Sequence, residues 1–588
     1  MGVRFTSLIT LGLLSALAVA TVHAEDAQPA AVAPSLSDKS VESIRLLDDI
    51  PNYATALASQ WRSADVSPRI GQFITDTSHY GRLRELTAPE SLALSDCIAL
   101  ALANNTSLEI SRLGPLGARA QVRRSYAIFD PSLFADASKD RSVRESGNIL
   151  QGALNSETDN VNVDGGVRKT LTSGGQLTAS WRNNRLVSNS SFLTLRPQYT
   201  TDFVLSLNQP LLRDFGLYFT TLQVRIARTT EQSAVKTYEA SLANTIKSVE
   251  QAYWSLVQAN ENVSVQEQGL TLAKELQRQN EGKFNVGAAP RTAVLEAQAE
   301  VARREADLIK ARTASSIARD SLRALLNAGR DGGASLAVVE PGDKPVVEPY
   351  SIDLDRSLAS ALERRPELAA AKLSLQGSGM QLKIAENQLL PRLNAVGLLG
   401  TNGLSGGAVP KTNTAGQIVI NPYNGPYEDG LNRNFDGRYY EYSAGVTVEV
   451  PLSNIQARAD YSQAHVGVEQ ARLSLQQLQE SVTLEVKTAV TNLQSDLKSI
   501  EATRIARELA EENLRNQKAR YDVGLATTKD LLDYLDRLTQ AKFAETSALT
   551  TYNTDLAELR RVEGTLLEAR HVELTAGEDE PTPFWAQF

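Results

Sequence analysis

Residues 475–500 read LQQLQESVTLEVKTAVTNLQSDLKSI, and this stretch decides the fold. Its apolar residues recur in steps of three and four, which average about 3.6 residues, the period of an α-helix. The surrounding span 452–580 contains no proline. Because a proline costs a helix interior about 3 kcal/mol, the pattern predicts a very long helix. The apolar stripe consists of Leu475, Leu478, Val482, Val486, Ala489, Leu493, Leu497 and Ile500.

A reversal interrupts the helical pattern at RYDVGLATT, residues 520–528. Gly524 gives the backbone the freedom for a positive φ, and Thr527 or Thr528 can cap the helix that follows. We expect that second helix from about Lys529 to Leu567. Two long helices joined by a tight turn form an antiparallel hairpin.

The same hairpin pattern occurs once earlier in the chain, with the reversal FNVGAAPRT at residues 284–292. Phe284 corresponds to Tyr521, and Gly287 corresponds to Gly524. The chain is therefore an internal duplication of roughly 250 residues, a period too long for a solenoid repeat. We place the first repeat at residues 91–340, the second at 341–567 and a C-terminal tail at 568–588.

The first 24 residues have the organisation of a secretory signal peptide. Arg4 supplies the positive charge, residues 8–20 are apolar, and Val22-His23-Ala24 forms a small-x-small cleavage site. An uncleaved N-terminal anchor is the alternative. Residues 25–90 follow as an N-terminal extension, expected to be partly disordered because Ala, Pro, Ser and Asp dominate its start. No later run of about 20 apolar residues occurs, so we expect no transmembrane helix.

Composition argues against several classes of function. The net charge is −9, with acidic and basic residues interspersed, whereas nucleic-acid binding requires a basic face. A single cysteine, Cys97, excludes an intramolecular disulfide, and four scattered histidines leave little for a transition-metal site. The Gly-Gly pairs at 165–166 and 174–175 lack the lysine-serine ending of a phosphate-binding loop. We therefore predict no enzyme, no cofactor and no resident metal.

Residues 129–209 and 440–450 change to a period of two. In the second segment every other residue, beginning with Tyr440, is apolar or aromatic, and the residues between are mostly polar. Such alternation over about ten residues is typical of a membrane β-strand, but also of a half-buried strand in a soluble sheet. The signal peptide and the long, polar, glycine-rich loop at 401–436 favour the membrane.

The number of strands stays open in the sequence. The second repeat offers strands near 393–401 and 438–451. The first repeat offers more, including a hairpin at 163–185 that turns at Ser173-Gly174-Gly175. Each repeat then enters its long helix through a Gln-Pro-Leu or Val-Pro-Leu junction, where a sheet ladder can stop and a helix can begin.

Two copies of helix, strands, Pro-Leu junction and long hairpin, in register, resemble the TolC-like outer-membrane efflux proteins. The resemblance covers residues 91–567 and includes the tips Phe-Asn-Val-Gly and Tyr-Asp-Val-Gly. It implies an α+β membrane protein that assembles as a homotrimer. Four β-strands per subunit would close a 12-stranded barrel in outer-membrane lipid, continued by an α-helical barrel across the periplasm. A helix from about Tyr218 to Glu281 would be roughly 95 Å long.

The resemblance also implies a function. The protein would be a passive exit channel for efflux or secretion, driven by an inner-membrane transporter through a periplasmic adaptor that docks at the helical tips. The alternative is a structural or adhesive coiled-coil protein of the cell envelope, but the α and β arms within each repeat argue against a coiled-coil stalk. The implied docking residues are Val286, Gly287, Thr292, Val523, Gly524 and Thr528.

The resemblance places a periplasmic gate at Asp530 and Asp533, with Tyr521 beside them. The spacing i, i+3 puts both carboxylates near one helical face, so three subunits would form two stacked acidic rings that attract cations. A simpler explanation is that these acids compensate the helix dipole, which is worth about 0.3–1 kcal/mol. The chain departs from the family at Ala293 and Ala526, since neither alanine can supply the acid or the base of a latch between hairpins.

Overall fold

The structure is a computed structural model that describes residues 73–76, 91–145, 155–327, 340–348, 350–412 and 417–576. The expected signal peptide, nearly all of the N-terminal extension and the tail beyond residue 576 lie outside these residues. No helix in the described ranges carries an apolar run long enough to cross a bilayer.

The first repeat proceeds from short helices through four strands to a long helical hairpin. A short strand precedes it, and a 3-10 turn at Ala127–Phe129 leads into the strands. The elements are β1 (Phe73–Asp76), β2 (Ser91–Leu92), α1 (Leu94–Asn104), α2 (Thr106–Tyr126), β3 (Ser132–Glu145), β4 (Asn155–Thr170), β5 (Gln176–Ser188), β6 (Leu195–Pro210), α3 (Gly216–Thr220), α4 (Leu222–Asn285) and α5 (Arg291–Leu326).

The second repeat has the same order but contributes only two long strands. A short helix lies in the loop between these strands, and a strand at the end of the described chain pairs with β1. The elements are β7 (Glu340–Pro341), α6 (Leu354–Arg364), α7 (Pro366–Gln388), β8 (Arg392–Ala408), β9 (Lys411–Thr412), β10 (Ile418–Val419), α8 (Tyr427–Arg433), β11 (Tyr440–Glu449), α9 (Ile455–Asp522), α10 (Thr528–Glu563), α11 (Leu566–Ala569) and β12 (Glu573–Ala576).

Both predicted helical hairpins are present. Helices α4 and α9 contain 64 and 68 residues, so they are roughly 96 and 102 Å long at 1.5 Å per residue. The shorter arms α5 and α10 contain 36 residues each. Helix α10 ends earlier than expected, at Glu563, because Gly564 adopts a φ of +75° and stops the helix in a left-handed cap.

Six strands form one antiparallel sheet in the order β11-β8-β6-β5-β4-β3. The hairpin turning at Ser173–Gly175 is confirmed, because β4 and β5 pair on either side of it. The second repeat contributes two strands, as its sequence predicts. The sheet has more strands than the four per subunit that the resemblance implies, since the first repeat alone contributes four strands of 13 to 16 residues. The period-two stretch at 129–209 is long enough for two full hairpins.

In the half of the sheet nearer the long helices, one face is mainly apolar and the other is mainly polar. Residues in register across antiparallel strands point to the same side, so each row of partners belongs to one face. An apolar row runs through Leu133, Val167, Ala179, Leu205, Leu399 and Tyr442. A polar row on the opposite face, three positions further along each strand, runs through Asp136, Asp164, Arg182, Asp202 and Asn402.

Two buried clusters hold the helical arms together. In the second repeat, the stripe residues Val482, Val486 and Leu493 are buried against Tyr552 and Leu556 of α10, as the helical period predicts. Leu497, at the end of the stripe, is exposed. The cluster of the first repeat contains Ile98, Tyr253, Leu256 and Leu322, with Cys97 fully buried among them. Burial raises the pKa of the Cys97 thiol to about 12, which keeps it unreactive.

Candidate functional site

The two hairpin tips have the same backbone conformation. Gly287 and Gly524 occupy the left-handed region, with φ of +75° and +81°, as both tip sequences predict. In each tip the backbone N–H that follows the glycine donates to a carbonyl five residues earlier, at 2.8 Å. These bonds join Ala288 to Lys283 and Leu525 to Arg520. A side chain at either glycine would strain the turn, so the tip motif is fixed by backbone geometry.

The tips expose apolar side chains at their ends. Val286 and Val523 are 78% and 70% exposed, and Leu525 is exposed to a similar extent. Thr292 is exposed as well. Neighbouring exposed apolar groups on two adjacent turns are typical of a protein interaction site.

Thr528 does not share this exposure, so its assignment to the docking surface is wrong. Its side chain is only 6% exposed. Its hydroxyl accepts a hydrogen bond from Asn280 of the first hairpin at 3.1 Å. The side chain that caps α10 is the preceding residue, Thr527.

Tyr521 was expected to line the gate, and the structure corrects this assignment. Its side chain is 5% exposed and packs with Leu276, Leu531 and Leu532. Its hydroxyl donates to the Asn280 side-chain oxygen. Buried inside one protomer, the ring joins the two hairpins instead of facing a channel.

Asn280 is the centre of this junction. It is buried, accepts from Tyr521, and donates to the backbone oxygen of Ala293 at 3.2 Å as well as to Thr528. The ammonium of Lys283 lies 4.0 Å from the centre of the Tyr521 ring, a cation–π contact. Sequence reasoning missed Asn280, because its partners Tyr521 and Thr528 lie 241 and 248 residues further along the chain. Asn280 therefore links the two tips by hydrogen bonds, whereas Ala293 and Ala526 cannot form an ion pair between them.

Asp530 is part of the cap of α10. The Thr527 backbone N–H donates to its carboxylate at 3.0 Å, and the Thr527 hydroxyl does so at 2.7 Å. The Asp530 backbone N–H donates to the same hydroxyl in return, which completes a capping box. The hydrogen bonds from Thr527 lower the pKa of Asp530, so it stays ionised at neutral pH. Asp530 therefore stabilises the start of α10, as the simpler explanation predicts, and this is part of its role.

Asp533 lies one turn further along α10 and is exposed at the surface. Among the described residues it takes part in no ion pair or side-chain hydrogen bond. Because helical residues three apart share a face, Asp530 and Asp533 form one exposed acidic edge just past the reversal. Such an edge can attract cations.

A second link between the hairpins joins Arg304 of α5 to Asp536 of α10, which lies one helical turn beyond Asp533. Its side chain is 3% exposed and forms ion pairs with Glu300, at 2.6 Å, and with Asp536 of α10. Arg303 also donates to Asp536, at 2.6 Å. Burial opposes the ionisation of Glu300, but hydrogen bonds from Arg303 and Arg304 outweigh it and lower the pKa of this carboxyl. A buried, paired arginine is costly to leave unpaired, so this network fastens α5 to α10.

Known proteins match this chain in both sequence and fold. Outer membrane protein TolC of Vibrio cholerae serotype O1 is 24% identical over 348 residues, which cover 58% of this chain and 72% of the relative. Outer membrane protein TolC of Salmonella enteritidis is 26% identical over 351 residues, which cover 59% and 66%. The Campylobacter jejuni CmeC outer membrane channel has a TM-score of 0.57 at 16% identity, covering 84% of this chain and 92% of that one.

The family pattern named "Outer membrane efflux protein" matches residues 97–328 and 358–565, which are most of both repeats. With the relatives, it identifies an exit channel for efflux or secretion located in the outer membrane. A structural or adhesive coiled-coil protein is not favoured by these matches. The chain belongs to the outer membrane efflux protein family.

Proposed function

We propose that three copies of the chain assemble into one channel, with their sheets joined into a single barrel in the outer membrane. The exposed apolar face of the sheet suits contact with lipid, and the polar face suits a water-filled lumen. A six-stranded sheet has two open edges, which hydrocarbon does not tolerate, so copies must share their edges. Three is the number that the resemblance to TolC-like proteins implies.

The long helices then carry the channel away from the membrane. Helices α4 and α9 extend roughly 100 Å, far beyond what a compact core requires. Many of their residues are exposed in a single protomer, and neighbouring copies would cover one side while water wets the other. The hairpin tips become the periplasmic end of an α-helical barrel.

Asp530 and Asp533 form the narrow end of this channel in our proposal. Three copies of the exposed edge give two stacked acidic rings, which favour cations and disfavour anions. Tyr521 is not part of these rings. Its junction with Asn280 and the Arg304–Asp536 pair instead hold the two hairpins of each protomer together at the constriction.

The tips also supply the docking surface for a periplasmic adaptor protein. The exposed apolar residues Val286, Val523 and Leu525 suit burial in a partner, with Gly287 and Gly524 shaping the turns. The adaptor would connect the channel to an inner-membrane transporter, which supplies the energy. The channel itself then needs no energy-coupling site of its own.

The observation that carries this proposal is the pairing of an exposed apolar sheet face with helices of roughly 100 Å in one chain. Amine-reactive crosslinking in native membranes tests it. We expect a species of trimer mass in the outer-membrane fraction. A monomer recovered from the soluble periplasm would overturn the proposal.

A further inference from the structure

We propose that strand β3 of one subunit pairs with strand β11 of the next, so that six strands from each of three subunits close an 18-stranded barrel. This inference rests on the proposed trimer and adds which edges meet and how wide the barrel is. It replaces the 12-stranded barrel that four strands per subunit would give.

The sheet has two unpartnered edges in the described protomer. Strand β3 pairs only with β4, and β11 pairs only with β8. Every residue of β11 and nearly every residue of β3 is exposed. A row of free N–H and C=O groups costs several kcal/mol per group in hydrocarbon, so both edges need partners within the membrane.

The strand directions allow these two edges to meet. Each adjacent pair in the order β11-β8-β6-β5-β4-β3 is antiparallel. With six strands the first and last therefore run in opposite directions. Joining β3 of one copy to β11 of the next adds one more antiparallel pair. All neighbouring strands of the closed barrel are then antiparallel, and their total number is even.

The outer two strands share the faces of the rest of the sheet. Leu133 on β3 and Val167 on β4 lie on the side of Leu205 and Leu399 and are exposed. On the polar side, hydrogen bonds cross three strands. They join Asn162 to Ser138 at 3.2 Å and Asn184 to Asn162 at 2.6 Å. The apolar band and the polar lumen face thus continue through β4 to the edge at β3.

The rival arrangement places only β5, β6, β8 and β11 in the wall. Strand β5 would then pair with β11 of the next copy, and it runs in the same direction as β3. This requires β5 to give up its ladder with β4, which extends from Thr158–Ser188 to Thr170–Gln176. The β3–β4 hairpin would also expose its apolar face outside the barrel, with no element of the described chain to cover it.

The strand ends suggest the register of the new pair. Strand β3 begins at Ser132 soon after α2, and β11 ends at Glu449 shortly before α9, so both ends lie on the helical side of the sheet. Placing Ser132 opposite Glu449 puts Asp136 opposite Gly445, both on the polar face. Barrel diameter grows with strand number, and 18 strands leave a wide aqueous channel. The constriction therefore lies at the tips and not in the membrane.

Disulfide crosslinking of the full-length protein in native outer membranes distinguishes the two arrangements. Asp136→Cys on β3 is combined in turn with Ser443→Cys, Gly445→Cys or Thr447→Cys on β11. Thr178→Cys on β5, also on the polar face, is combined with the same three partners. Each variant with only one of these introduced cysteines is the control, and Cys97 stays in place because it is buried.

We expect oxidation to give reducible dimers and trimers with Asp136→Cys, most strongly with Gly445→Cys, and none with Thr178→Cys. Crosslinks from Thr178→Cys alone would overturn the 18-stranded barrel and support 12 strands. An amine-crosslinked trimer without any of these disulfides would also overturn the shared edge. Absence of any trimer would refute the proposed function itself.

Discussion

At the scale of single residues, two carboxyl groups in the second hairpin oppose each other. Asp496 of α9 faces Asp555 of α10, with Glu558 and Lys247 near the second acid. Burial, followed by the charge of Asp555, raises the pKa of Asp496 from 3.8 to about 6. The folded pKa lies above the unfolded one, so this pair favours folding most below pH 4. That contribution is lost as the pH rises through about 6.

Asp496→Asn should therefore raise the melting temperature at pH 7.5 and leave it unchanged near pH 4. The gain should be on the order of 1 kcal/mol, less than the full shift implies because the group is partly exposed to solvent. Thermal unfolding of the purified protein at both pH values measures it. Asp460→Asn, an exposed position on the same helix, is the control. A gain that is equal at both pH values would contradict this account.

Arg304 provides a second prediction at this scale. Arg304→Met leaves Glu300 and Asp536 less well paired in a buried position, and we expect a loss of about 3–5 kcal/mol. Arg312→Met is the matched control, because its ion pair with Glu267 is exposed and worth about 0–1 kcal/mol. Thermal unfolding and protease cleavage at the tips provide the measurement. Equal effects of the two substitutions would show that the buried network is unimportant.

At the scale of elements, the helical hairpins were predictable and the sheet was only partly so. Helical period, absence of proline and a glycine at each reversal are local signals, and all three correspond to the structure. The positions of Asn280, Tyr521 and Thr528 were not predictable, because their contacts join the two repeats. The number of strands stays open in the sequence, because the period of two shows that a segment is extended but not where one strand ends and the next begins. The turns between strands have only weak sequence signals.

The two faces of β11 provide a prediction at this scale. Arginine at Val446 or Val448 should cost about 2–4 kcal/mol, because both side chains are exposed on the apolar face that meets lipid in the proposed barrel. Arginine at Thr447 points to the polar face and should be tolerated. The yield of folded protein in the outer membrane measures the difference. Similar yields for all three variants would be incompatible with this orientation of the sheet.

At the scale of the whole molecule, the apolar surface, the buried clusters and the acidic edge lie at different positions along the direction of the long helices. The sheet holds the apolar surface, the hairpin bases hold the buried clusters, and the tips hold the acidic edge of Asp530 and Asp533. A net charge of −9 is consistent with a channel that favours cations. In the proposed trimer, however, the acidic rings at the narrow end would determine selectivity more than the total charge does. The central claim is therefore that ions cross the protein and that the tips determine which ions pass.

Single-channel recording in planar bilayers, with a salt gradient, tests this claim most directly. The wild type is compared with Asp533→Asn and with the double variant Asp530→Asn, Asp533→Asn, in which asparagine still offers an acceptor for the cap. The double variant Asp307→Asn, Asp320→Asn removes the same charge from α5, away from the tip, and is the control.

We predict ion-conducting steps with a cation-selective reversal potential for the wild type and the control. Selectivity and block by trivalent cations should fall in both tip variants, most strongly in the double one. Protein that forms no conducting steps, or tip variants whose reversal potential matches the wild type, would contradict the account.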